Sequence, residues 1–168
     1  MGYALDMKIR FAAFKGISWV SRLIRFWTRD EYSHVAYVDD LDKDVLIEAW
    51  RFKDGFRWGW SSLNANHRPG TPVEIWELEV EDDQATAVRG FLRGLADEKV
   101  GYDWKGFFGF VFKTEDWKEK YFCSEGCAKA LTIAGVWPED LKTYLVHPGY
   151  FVQLMKVCGF SKVLEFTI

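Results

Sequence analysis

SHVAYV (33–38) and VLIEAW (45–50) are two β-rich runs joined by the turn-forming DDLDKD (39–44), and together they read as a hairpin. Strand alternation puts His34 on the face shared with Ala36 and Val38, where small neighbours leave room for an imidazole and for something docking onto it. In the second run Glu48 is the one charge between Val45 and Trp50. A charge in an apolar strand needs a partner, because burying it alone costs several kcal/mol. With the turn at 39–44, antiparallel pairing sets Glu48 level with His34 or one pair away.

Outward from this hairpin the period changes. Upstream, ISWVSRLIRFW (17–27) places Ile17, Val20, Ile24 and Trp27 at helical spacing, with Arg22 and Arg25 elsewhere, which is an amphipathic helix. Downstream, residues 51–70 hold Gly55, Gly59, Asn64, Asn66, Pro69 and Gly70 and read as a long irregular loop with aromatic anchors. PVEIWELEV (72–80) is a further strand, with Val73 and Ile75 on one face and Glu74, Trp76 and Leu78 on the other. Helical patterns then run from Asp82 to about Glu98, after Asp103, and from Cys123 to Ala134, where Gly135 ends the run. A short helix follows Pro148, and Val163–Thr167 reads as a final strand. A helix, three strands and then mainly helices make a single α+β domain over 1–168 rather than a βαβ alternation.

The 168 residues suit one domain, and 49% hydrophobic residues with 28% charged exclude disordered, collagen-like and coiled-coil classes. The net charge of −3 gives the chain no overall pull on nucleic acid. Locally, Lys8, Arg10, Lys15, Arg22, Arg25 and Arg29 stand against Asp6 and Asp30 in residues 1–30. That patch reads as a solvated helix face, with weak contact to an anionic surface as its functional counterpart. No run reaches the roughly 18 apolar residues of a membrane span. Residues 1–20 carry charges throughout and no apolar block before a cleavage site, so no signal peptide is expected. Three cysteines cannot close a disulfide set, and a reducing, cytoplasmic compartment is the default expectation.

The chemistry-bearing set is His34, His67, His147, Cys123, Cys127 and Cys158. Cys123, in YFCSEGCAKAL, stands directly before a helical run, where the helix N-terminus favours a thiolate and its N–H groups can hold an oxyanion. Cys127, one turn on, and Cys158, in VCGF, read as small core residues. An acid at Glu48 can orient the His34 imidazole and stabilise its charged form. The competing use of these atoms is zinc held by Cys123, Cys127 and a histidine, but a lone C-x₃-C is a weak metal signal, so no cofactor is expected. Asp103 and Glu125 suit helix starts, His67 reads as an exposed loop residue, and His147 ends an element before Pro148.

The runs FWTRDEYSHVAYV, VLIEAW, GYDWKGFFGF and YFCSE, with a later Pro-Gly before a helix, resemble the circularly permuted NlpC/P60 proteins. These are papain-like cysteine hydrolases of the YiiX/YebB type, related to the lecithin:retinol acyltransferase-like group. The resemblance spans about residues 17–160 and includes the permuted order, His34 before Cys123. It implies a papain-like core with Cys123 as nucleophile, His34 as general base and Glu48 as the polar third member. Tyr102, in Gly-Tyr-Asp, matches a recurring position with a structural or substrate-lining role, and Tyr32 is expected beside it on the substrate. Gly126 and Cys127 depart from the bulkier aliphatic residues that relatives carry after Cys-Ser-Glu, which bears on helix packing. The implied activity is a thiol-dependent amidase or peptidase, on murein peptides among others, in a bacterial or phage setting. The alternatives are a lipid-directed acyl hydrolase or acyltransferase of the same fold, a non-catalytic binding module and a virion-associated module. Expected partners are therefore a peptide, amide or acyl-lipid substrate.

Overall fold

The computed structural model describes residues 7–53, 55–101 and 120–168. Its elements, in chain order, are β1 (Met7–Phe14), α1 (Trp19–Thr28), β2 (His34–Asp40), β3 (Val45–Phe52), β4 (Gly55–Ser61), β5 (Pro72–Val80), α2 (Asp82–Asp97), α3 (Cys123–Ile133), a 3-10 turn (Thr143–Leu145), α4 (Pro148–Val157) and β6 (Ser161–Thr167). Among the described residues this is an α+β arrangement, with one six-stranded antiparallel sheet in the order β4-β3-β2-β1-β5-β6 and four helices. The expected helical piece after Asp103, and Tyr102, lie outside the described residues.

The hairpin forms as its pattern requires, with Tyr37 opposite Ile47 and Val38 opposite Leu46. Two segments differ from expectation. Residues 7–14 are a strand at the centre of the sheet, paired with β2 on one side and β5 on the other. Lys8 and Arg10 are therefore not on a helix face but on β1, where they meet Glu77 at 2.7 and 2.6 Å. Residues 55–61, expected within an irregular loop, form β4, which pairs with β3 from Leu46 to Phe52. Aromatic residues outweigh the glycines there: Trp58 is fully buried and its indole N–H donates to Tyr121 O at 3.0 Å.

Period-2 alternation divides the sheet into two apolar faces. Ile9, Phe11, Val35, Tyr37, Ile47 and Ala49 face the helices, packing on Val88 and Leu92 of α2, Cys127 and Leu131 of α3, and Phe151 and Met155 of α4. Ala12, Phe14, Ala36, Val38, Leu46, Val73 and Ile75 form the opposite face, covered by Leu41, Leu63, Phe166 and Ile168. Fully burying a side chain such as Phe11 contributes about 2–3 kcal/mol. Because both faces are covered, β1 and β2 read as nearly continuous apolar runs towards their inner ends.

Local signals end the helices where the chain must turn. Ser18 Oγ accepts from Ser21 N at 3.1 Å to start α1. Glu125, at the third position of α3, reaches back to the Phe122 N–H. Gly135 leaves α3 in the left-handed region, φ 68°, which a residue without Cβ adopts freely. His147 starts α4 rather than ending the element before it: its Nδ1 accepts from Tyr150 N at 3.1 Å, with Pro148 at the first helical position.

Candidate active site

His34 opens β2, and Cys123 is the first residue of α3, so the site stands where the end of a central strand meets a helix N-terminus. Extending the hairpin register inward puts Glu48 opposite Ala36, two residue pairs from His34 and on the same face, one pair further than the turn length suggests. His34 Nε2–H donates to Glu48 Oε2 at 2.7 Å. That leaves Nδ1 as the ring nitrogen for Cys123, with which His34 is also hydrogen-bonded. Cys123 and His34 are each 4% exposed and Glu48 is fully buried.

Two further side chains close on Glu48. Asn66 Nδ2 donates to Glu48 Oε1 at 2.9 Å, and His67 Nε2–H donates to Oε2 at 3.1 Å. His67 is thus not the exposed loop residue expected of it: its ring lies flat on Phe14, 3.8 Å between centroids, and its side chain is 4% exposed. Stacking on an aromatic ring and a charge-assisted hydrogen bond outweigh the polarity of the surrounding loop. Phe14 and Trp50 border the His34 ring at 5.4 and 4.9 Å. The one available signal for Asn66 and His67 was Glu48 itself, since a buried carboxylate has room for more donors than a single histidine supplies.

The electrostatics follow from these contacts. Burial works against the charged form of His34, but the Cys123 thiolate and then Glu48 more than reverse it, and the imidazolium's pKa is pushed up to about 10. Burial likewise opposes the Glu48 carboxylate, yet hydrogen bonds from His34 and His67 hold it well below the usual carboxylate range. For Cys123 the burial penalty is overcome by the charge and hydrogen bond of His34 and by the backbone N–H groups of Val35 and Ser124, and its pKa falls. Cys127, buried with no such partner, is pushed well up, as a core thiol should be. His67 is held below its ordinary value by burial, which its bond to Glu48 does not fully offset. A charged imidazole and a neutral second histidine therefore share one carboxylate, and a low-pKa thiol stands on the other side of the charged imidazole.

Ser124 Oγ donates to Val146 O at 2.6 Å and ties the first turn of α3 to the chain ahead of α4. Gly126 explains the departure from bulkier residues, because a Cβ there would overlap the Trp58 indole. Glu125 acts as the helix-start residue it was read to be. Cys158 is half-buried.

A cavity of about 470 Å³ reaches His34 from the surface, between α1 and the β3–β4 edge. Trp19, Leu23, Ile24, Trp50 and Phe56 make it largely apolar, and Arg51 and Arg68 stand among its polar groups. Tyr32, expected on the substrate, does not line this cavity. Its hydroxyl donates to the buried Glu74 at 2.8 Å, and Glu74 also takes the Trp76 indole N–H and the Lys15 ammonium. The buried carboxylate of Glu74 on β5 outcompetes the cavity for the phenol.

Among the described residues, the metal-type ligands that converge are His34, Glu48 and His67, with ligand atoms within 4.8 Å of one another, and not the cysteine pair. In this arrangement His34 Nε2 and His67 Nε2 both donate to Glu48 Oε2. No family model matches this chain, and no curated protein matches it either.

Proposed function

We propose that the chain is a thiol-dependent acyl-transfer hydrolase with a permuted papain-like arrangement, in which Cys123 is the nucleophile, His34 its acid–base partner and Glu48 the residue that orients His34. The observation that carries this reading is the continuous relay from Asn66 and His67 through Glu48 and His34 to a thiol of lowered pKa at a helix N-terminus. A structural cysteine would have the raised pKa of Cys127 instead. The chain order, His34 then Glu48 then Cys123, is the order of the permuted NlpC/P60 proteins that the sequence resembles.

In this reading the Cys123 thiolate attacks a carbonyl carbon, and the oxyanion forms beside the N–H groups of the α3 N-terminus. His34 gives its proton to the leaving nitrogen or oxygen as the C–N or C–O bond breaks, leaving a thioester. Water, deprotonated by neutral His34, attacks the thioester, and the proton returns to the thiolate–imidazole pair as the acid departs. The amide or peptide substrate follows from the resemblance. An acyl-lipid substrate is favoured by a separate observation, the apolar lining of the cavity that ends on His34.

The test is the pH dependence of alkylation at each cysteine, read by peptide mass spectrometry. Cys123 should react rapidly at neutral pH while Cys127 stays inert, Cys123→Ser should remove the fast label, and His34→Ala should return the thiol towards its ordinary pKa of about 8.5. With substrate, kcat/KM should fall on the alkaline side near the His34 pKa of about 10, where the leaving-group proton is lost. Three ordinary or buried thiols would overturn the hydrolase reading and leave a non-catalytic binding module.

A further inference from the structure

Helix α1 is capped and packed, yet it turns its largest side chains outward. Trp19, Phe26 and Trp27 are 73%, 75% and 58% exposed. Spacings of four and three residues put Trp19, Leu23 and Phe26 on one stripe, with Trp27 beside it. Such a face on a water-soluble surface marks a binding site, since isolated exposed apolar residues are common but a contiguous aromatic stripe is not. The helix carries Arg22 and Arg25 and is closed by Arg29, with no acidic residue in its first turn. Arg22 and Arg29 are exposed, and among the described residues neither is paired with a carboxylate. Trp19 and Leu23 also line the cavity that reaches His34, so the stripe and the cavity mouth are one surface.

We infer that α1 is a docking surface for an anionic lipid bilayer, with its Trp/Phe stripe in the interfacial zone and its arginines on the headgroups. Charge decides between occupants. A second copy laid face to face would bring the exposed Arg22 and Arg29 of both copies together, whereas an anionic headgroup layer neutralises them. Trp, Phe and Leu on one side of a helix with arginines beside them is the composition of an interfacial helix. Docked in this way, the cavity mouth faces the bilayer, and a lipid's acyl carbonyl can approach His34, the acid–base partner of Cys123, without crossing water. This last step rests on the hydrolase reading; the docking does not.

The test uses the full chain with Cys123→Ser, so that turnover plays no part. Co-sedimentation is measured with phosphatidylcholine vesicles with and without phosphatidylglycerol, at low and high salt. Binding should require the anionic lipid and weaken with salt. Trp19→Ala with Phe26→Ala, both at exposed positions, should reduce it by about tenfold or more, and Arg22→Glu by about fivefold or more, with unchanged circular dichroism and Tm. No binding to anionic vesicles, binding unchanged in these variants, or a dimer by light scattering that the aromatic variant dissolves would each overturn the inference. Cys123 alkylation of the parent chain is read in parallel. A reactive thiol without vesicle binding refutes docking alone, and vesicle binding with an inert thiol refutes the hydrolase alone.

Discussion

Glu48 shows how a single buried carboxylate organises a site. It loses all contact with solvent, and His34, His67 and Asn66 replace water as its donors. Glu48→Gln puts an amide NH₂ where the carboxylate accepts, facing at least one donor, so it should lower kcat/KM by roughly 10²–10⁴-fold with the fold retained. The Cys123 thiol pKa should rise in the same variant, which alkylation against pH reads directly. His67→Gln keeps a donor and should cost far less than His67→Ala, which leaves Glu48 short of a partner; comparing their kcat/KM values tests the positioning role. His34 and Glu48 were legible in the sequence because both lie on one hairpin, where strand alternation and turn length set their relation. Asn66 and His67 were not, since their approach depends on how a loop folds back over Phe14.

At the scale of elements, α3 is held at both ends of its first turns. Ser124 fastens it to Val146, and Gly126 lets the Trp58 ring of β4 lie against its backbone. Gly126→Ala should destabilise the protein by about 1–3 kcal/mol, because the Trp58 ring is pinned by its own hydrogen bond and cannot move aside cheaply. Thermal unfolding should show this as a loss of several degrees in Tm. The helix boundaries were close to what capping and periodicity imply: Asp82–Asp97 against an expected end near Glu98, and Cys123–Ile133 against Ala134. β4 was obscured because Gly55 and Gly59 are turn signals locally, and only pairing with β3 makes a strand of them.

For the whole molecule, the buried site links stability to pH. Glu48 is held below its ordinary 4.5, so its contribution is present above that value and is lost as pH falls further. His67 is held below its ordinary 6.5, so as pH drops through 6.5 the unfolded chain takes up a proton that the folded chain resists. Both effects weaken the fold in acid. His34 acts in the other direction: its contribution is complete below 6.5 and is lost as pH rises through about 10. On that alkaline side the lowered Cys123 pKa contributes increasingly and offsets part of the loss. Tm should therefore fall from pH 7 to 5, and His67→Gln should flatten the portion nearest 6.5.

The sequence by itself determined the periodic elements and the chemical groups available: a hairpin with His34 and Glu48 on one face, a thiol before a helix, an amphipathic α1 and an α+β order. These are short-range properties, set by side-chain spacing of two or about 3.6 and by caps and turns within a few residues. Tertiary structure alone decided that 7–14 occupies the middle of the sheet, that 55–61 extends its edge, and that Asn66 and His67 complete the shell around Glu48. It also decided that Tyr32 belongs to Glu74 and not to the cavity. Each of these depends on pairing between segments distant in the chain, such as Phe11 with Trp76, and strand pairing gains its hydrogen bonds only after the chain has closed that distance.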